Sequence, residues 1–326
     1  MIRVERYAET HQSVWDAFVA GSKNGTFLFQ RDYMDYHKDR FSDHSLMIYD
    51  DQRLIALLPA NCDTEGTTLV SHDGLTYGGL ISDAHMKTPL MLALFAALLT
   101  FCREQGFTSL RYKAMPHIYQ RIPAQEDLHA LTLCGAQLHN RSVMTVIGQE
   151  RPPLPKGRRY SVSKARKYGL EVRRADEDLP AYWALLEASL SKRHQAQPVH
   201  TLAEIQTLRR RFPQQIQLHA CYDKAQLIAG VLIFESANVA RTQYIAVSER
   251  GRERCALDLI LDDLLNQVFA NKPYFDFGTS HEPATGALKS GLIEQKESFG
   301  GRAVAQDTYW IDLERWNPEL IRGAVR

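Results

Sequence analysis

The stretch F-D-F-G-T-S-H-E-P-A-T-G-A-L-K-S-G-L-I-E-Q-K-E-S-F-G-G, Phe275 to Gly301, decides how this chain reads. Pro273–Phe277 has the apolar content of a short buried strand that ends at Gly278. A loop of small and polar residues follows, with Thr279, Ser280, His281, Glu282, Thr285 and Gly286. A short apolar segment, Leu288 to Ile293, leads to Gln295–Lys296–Glu297–Ser298–Phe299 and the pair Gly300–Gly301. A loop on a strand end that holds Lys, His and Glu between glycines is where sites are commonly built. The same residues also read as a surface connection with a solvated lysine.

Outward from this stretch the chain alternates strands and helices. Upstream, Val239–Val247 reads as a strand. Ser248-Glu249-Arg250-Gly251-Arg252 then opens a long amphipathic helix through Leu257, Leu259, Ile260, Leu264, Leu265 and Val268. Strand, Gly-bearing turn and helix start present backbone N–H groups to a pyrophosphate, although one glycine is a weak signal. Strands at Gln215–Tyr222 and Gln226–Glu235 precede it, and Gln306–Leu313 is a last strand. The first half repeats this order. Strands at Ser45–Tyr49 and Arg53–Asn61 come first, then the apolar helix Pro89–Gln105 capped by Gly106, the strand Ser109–Lys113 and the strand Gln137–Ile147. A second glycine-rich loop, His72–Gly79, follows a strand end and could approach an anion or be a plain turn. The repeated order suggests an internal duplication. Arg151-Pro-Pro-Leu-Pro-Lys-Gly157 is proline-rich and reads as the boundary, giving domains 1–150 and 151–326, with the segment from about 303 to 326 placed against the first.

Composition narrows the chemistry. With 326 residues and 24% charged residues this is an ordinary globular chain of about two domains. The net charge of +1 excludes an electrostatic binder that uses its whole surface, so any phosphate-bearing partner must meet a local patch. Arg158 to Arg174 is such a patch, with Glu171 its only acidic residue; a solvated helix face is the alternative. The five cysteines form no CxxC pair, and the twelve histidines show no metal-ligand spacing, so no metal is expected. The start is charged and strand-like and no apolar run is long enough to span a bilayer. A cytoplasmic location is expected, with reversible contact to the inner membrane face left open.

These motifs resemble the GNAT superfamily of N-acyltransferases, and more closely its two-domain Fem-type branch of aminoacyl and acyl transferases. The resemblance runs over nearly the whole chain. It is carried by F-L-F-Q-R-D-Y-M-D-Y-H-K at Phe27–Lys38, S-H-D-G-L-T-Y-G-G at Ser71–Gly79, S-V-S-K-A-R-K-Y-G-L-E-V at Ser161–Val172, Ser191–Lys192–Arg193, Gln243–Tyr244 and, most specifically, F-D-F-G-T-S at Phe275–Ser280 and Q-K-E-S-F-G-G at Gln295–Gly301. It implies an α+β fold of tandem GNAT-like domains, each a mixed, mostly antiparallel sheet flanked by helices. It implies that Lys296 stabilises charge on the reacting acyl group, with His281 and Glu282 as candidate bases and Asp276 less favoured. Lys38, Tyr77, Gly78, Gly79, Arg193 and Tyr244 fall where acceptor contacts are expected. Ser248, Arg250, Gly251 and Arg252 fall where the coenzyme A pyrophosphate is held, although the turn departs from the usual Q/R-x-x-G-x-G/A pattern.

The function so implied is transfer of an acyl group from acyl-CoA to an amine of a cell-envelope or polysaccharide precursor, such as a nucleotide-sugar, lipid-linked or other phosphate-bearing glycan acceptor. Two alternatives stand beside it. One is transfer from aminoacyl-tRNA, favoured by the basic run but not by the missing helical arm between Leu190 and Cys221. The other is a non-catalytic module that binds glycan or RNA.

Overall fold

The computed structural model describes residues 1–150, 153–194, 197–282 and 285–322, without the side chains of Arg193, His194 and Arg322. The chain forms two compact units, Met1–Ser142 with Ala305–Arg326, and Val143–Val304. In chain order the elements are β1 (Ile2–Arg6), α1 (Gln12–Gly21), α2 (Arg31–Met34), β2 (Leu46–Asp50), β3 (Arg53–Leu58), β4 (Asn61–Cys62), β5 (Thr68–Val70), β6 (Ile81–Ser82), α3 (Thr88–Glu104), β7 (Ser109–Lys113), α4 (Glu126–Leu133) and β8 (Gln137–Gly148). They continue as α5 (Lys156–Lys167), β9 (Glu171–Arg174), α6 (Leu179–His194), α7 (Leu202–Arg211), β10 (Ile216–Asp223), β11 (Gln226–Glu235), β12 (Val239–Val247), α8 (Glu249–Glu253), α9 (Ala256–Asp263), β13 (Tyr274–Thr279), α10 (Ser290–Glu297), β14 (Arg302–Asp312) and α11 (Glu319–Arg322). The chain passes between the units inside β8 and β14, several residues away from the proline-rich stretch.

In the first unit, β1, β2, β3 and β6 form an antiparallel sheet. β4 and β5 pair antiparallel, β5 and β7 parallel, and β7 meets the end of β14 antiparallel. α3 supplies the largest apolar face: Leu94, Phe95, Leu98, Leu99 and Cys102 are fully buried against these strands. Its rows recur every three to four residues, which is why one stripe faces the core. Gly106 ends it at φ +87°, a conformation that a Cβ would strain.

In the second unit the strand order is β8, β13, β12, β11, β10, β9. All neighbours are antiparallel except β12 and β13, which run parallel. β10 is buried along its whole length, as a central strand covered on both faces should be. α9 packs on the sheet with Leu259, Ile260 and Leu261 buried, and Leu264 just after its end is buried too. The long helix expected after Ser248 is broken: Cys255 adopts a left-handed conformation at φ +59°, which separates α8 from α9. The periodicity of apolar residues gives no sign of this, because it runs through the break.

Candidate active site

The parallel pair β12 and β13 holds together for only three residues, Val239 with Tyr274, Ala240 with Phe275 and Arg241 with Asp276. Beyond that point β12 stays with β11 as far as Val247, while β13 stays with β8 and bulges between Asp276 and Thr279. The two strands therefore part, and the Gly278 and Thr279 carbonyls of β13 accept from Lys296. A cavity of about 270 Å³ lies among Ile245 and Val247 of β12, Phe277 of β13, Leu261 of α9 and Lys296 and Phe299 at and after the end of α10. Its walls are mainly apolar, and its polar side chains are few: Ser189, Arg252, Asp258, Gln295 and Lys296. That composition is typical of a small-molecule pocket.

The fork of the strands is braced by charge. Asp276 is fully buried and accepts from Arg241 Nη1 at 2.6 Å and from the Gly278 N–H at 2.6 Å. Gly278 sits at φ +69°, and a Cβ there would come within 3.0 Å of the Arg241 guanidinium. This explains the D-x-G of F-D-F-G: the carboxylate holds the turn, and only glycine fits its conformation.

Lys296 is 7% exposed and donates to the Gly278 carbonyl at 3.1 Å and the Thr279 carbonyl at 2.7 Å. Burial lowers its pKa from 10.5 to about 8, against the opposing pull of Asp276, with Arg241 adding to the fall. The rest of Q-K-E-S-F-G-G places this lysine. Phe299 is buried beside Phe277, ring centroids 6.2 Å apart. Gly300 turns the chain at φ +96°, and a Cβ on Gly301 would strike the Thr145 methyl group. Arg158 of α5 stacks over Phe299 at 4.2 Å and donates to Ser298 Oγ at 2.7 Å and Asp258 Oδ1 at 2.8 Å. These contacts hold the segment that carries the lysine.

The other expected residues are spread more widely. Gly251 and Arg252 line the same cavity. Gly251 N–H donates to the Ser248 hydroxyl at 2.9 Å, and a Cβ at Gly251 would collide with the Ile228 carbonyl. Arg250, with Arg254, pairs with buried Asp223. Glu282 accepts from Thr285 Oγ1 at 3.1 Å and faces Lys289 at 3.9 Å. His281 bridges to Leu288 and buries its Nδ1. Neither His281 nor Glu282 is in the cavity wall. Tyr244 bonds His200 Nδ1 at 2.7 Å and packs edge-on against Trp183. Arg193 lies in α6, and its side chain is outside the described residues.

In the first unit Lys38 is exposed, 3.7 Å from Glu9. Tyr77 is 1% exposed and donates to Thr26 Oγ1 at 3.1 Å. A Cβ on Gly78 would collide with the Ser71 carbonyl, and Gly79 sits at φ +83° against Tyr112. Close packing on Ser71, Thr26 and Tyr112 shapes this Tyr-Gly-Gly turn.

Sequence reasoning did not find Arg241 or the apolar cavity walls, and it read Arg158 only as part of a basic patch. A signal for the first was present: an arginine and an aspartate stand within two strands, where burial of either calls for an opposite charge.

A family model described as an acetyltransferase (GNAT) domain matches residues 156–284, most of the second unit. That part of the chain is similar to the GNAT acetyltransferase domain. Solved structures extend the likeness to the whole chain. FemX has 10% identity and a TM-score of 0.68 over 99% of both chains. The C-terminal domain of a putative lysylphosphatidylglycerol synthetase from Agrobacterium fabrum has 10% identity and a TM-score of 0.56, over 90% of this chain and 93% of that one. A tandem GNAT protein from the clavulanic acid biosynthesis pathway has 12% identity and a TM-score of 0.51, over 95% and 98%. No curated protein sequence matches the chain. The chain has the two-domain, Fem-like GNAT fold, an α+β arrangement with helix-flanked sheets.

Proposed function

We propose that this protein is an N-acyltransferase that moves an acyl group from acyl-CoA to an amine of a cell-envelope or polysaccharide precursor. The observation that carries the reading is Lys296: a buried ammonium on the wall of an apolar cavity, at the fork of two parting strands. An acyl thioester supplies an activated carbonyl carbon for attack by the amine. The cavity suits the slender arm of such a donor, and Arg252, which donates to the Val247 carbonyl at 2.6 Å, is a second cation on its wall that would meet the donor's phosphates. The N–H of Gly251 is already used by Ser248, so the turn offers fewer free donors than a glycine-rich loop would.

Lys296 has three N–H donors and directs two of them to the Gly278 and Thr279 carbonyls. The third is left for an oxygen that gains negative charge in the cavity, an oxyanion-type role. With its pKa near 8, the charged form predominates at neutral pH. His281 is the candidate to accept the proton released by the amine, with Glu282 second. Tyr244, Arg193 and, in the first unit, Lys38 and the Tyr77–Gly79 turn are retained as acceptor-side candidates.

Aminoacyl-tRNA is the second donor considered, favoured by the cations of α5. Thiol release from acetyl-CoA and longer acyl-CoAs with amino-sugar acceptors, run beside charged tRNA, separates the two. Turnover that persists at the wild-type rate in Lys296→Ala would overturn the assignment of this site.

A further inference from the structure

α5 carries six Lys or Arg residues and no carboxylate, and the fold sorts its cations into two groups. Arg158, Val162 and Ala165 recur on the inner face, where Val162 and Ala165 are buried. Arg158 is neutralised by Asp258, and Arg166 at the flank by Asp262, both carboxylates on α9. Lys156, Tyr160, Ser163 and Lys167 stand four, three and four residues apart and so share the outer face. Arg159 and Lys164 flank them. Among the described residues, none of Lys156, Arg159, Lys164 and Lys167 has a carboxylate partner. Tyr160, in their midst, is 70% exposed. Tyr168, 45% exposed at the end of the helix, has Lys164 and Arg254 against its ring.

We infer that the outer face of α5 docks the second unit on an anionic lipid surface. Charge complementarity is the first ground: four uncompensated cations lie along one helix of twelve residues, in a chain whose net charge is only +1. Such a strip matches a plane of anionic headgroups, to which each Lys or Arg adds roughly a fivefold gain in binding. A duplex or folded RNA would call for a broader basic surface. Tyr160 is the second ground. An aromatic ring with a hydroxyl, extended into solvent between lysines, has the character of a residue that rests at headgroup level. The same helix sends Arg158 inward to Asp258 and Ser298 at the cavity, so docking would hold the cavity close to a lipid-linked acceptor. The inference stands apart from the reaction proposed above and is tested without it.

The test is co-sedimentation of the full chain with vesicles of phosphatidylcholine alone or mixed with phosphatidylglycerol. The wild type is expected to bind the anionic vesicles, to bind neutral ones far less, and to be released by salt. The quadruple variant K156Q/R159Q/K164Q/K167Q should lose roughly several hundredfold in binding, with its thermal transition retained because all four side chains are at the surface. A Tyr160→Trp variant keeps every charge, and the emission of its introduced indole should shift to the blue on anionic vesicles only. Equal binding to both vesicles, binding unchanged in the quadruple variant, or an emission that anionic vesicles leave unshifted would each overturn the inference. So would charge-dependent binding of a structured RNA with no binding of vesicles, which would assign the face to nucleic acid.

Discussion

The lysine at the cavity wall makes a prediction that needs no substrate. In the folded protein Lys296 titrates near 8, whereas an unfolded lysine titrates near its ordinary 10.5. Between these two values the unfolded chain binds more protons at this position than the folded chain does. Stability therefore rises with pH across that window, and the cost of keeping the ammonium buried is fully present below about pH 8. A shift of this size corresponds to roughly 3 kcal/mol. Lys296→Met removes the titration and nearly keeps the volume, so the comparison isolates it. Urea unfolding of both proteins at about pH 7, 8.5 and 10 should show the wild type gaining on the variant by about 2–3 kcal/mol as pH rises. Other lysines cancel in the difference. A difference that stays constant with pH, or that moves the other way, would refute the claim that this lysine is held in a desolvated site.

Lys296→Ala should lower turnover roughly a hundred- to a thousandfold, the usual effect of removing one oxyanion-type donor, measured as initial rates at saturating donor. Above about pH 8 the wild-type rate should fall as Lys296 loses its proton, and a Lys296→Arg variant that retains activity should show no such limb in its pH profile. Arg241→Met should destabilise the second unit by about 3–5 kcal/mol, because it strips the guanidinium from a fully buried carboxylate; denaturant midpoints would report it. Gly251→Ala should cost about 1–3 kcal/mol, since its Cβ meets a backbone carbonyl that cannot swing aside, and a lowered thermal midpoint is the readout.

Much of this was legible in the chain. The apolar rows of α3 and α9, the strand β13 and the turn at Gly278 announce themselves by period and by glycine. Q-K-E-S-F-G-G stood out because its residue types do not suit a plain loop, and the Lys, Ser, Phe and glycines prove to have packing tasks at the cavity. The cavity was not legible. It exists because β12 and β13 part after three paired residues, and strand pairing over a helix crossover leaves no local mark. Tyr77–Gly78–Gly79 shows the reverse difficulty: a turn forced by the close approach of Ser71 and Tyr112 has the same letters as an anion-binding loop. Likewise the run Arg158 to Lys167 reads as one basic patch, and only the carboxylates of α9 divide it into an inner and an outer set.

Donor binding tests the central claim most directly. Calorimetry and thermal shift with acetyl-CoA and longer acyl-CoAs would be compared between the wild type and Ile245→Trp, which fills the cavity from β12. The account predicts saturable binding, worth roughly 2.7 kcal/mol of added stability at about a hundred times the dissociation constant, and its loss in the variant. Binding of equal strength to both proteins, or binding of charged tRNA with none of any acyl-CoA, would contradict it.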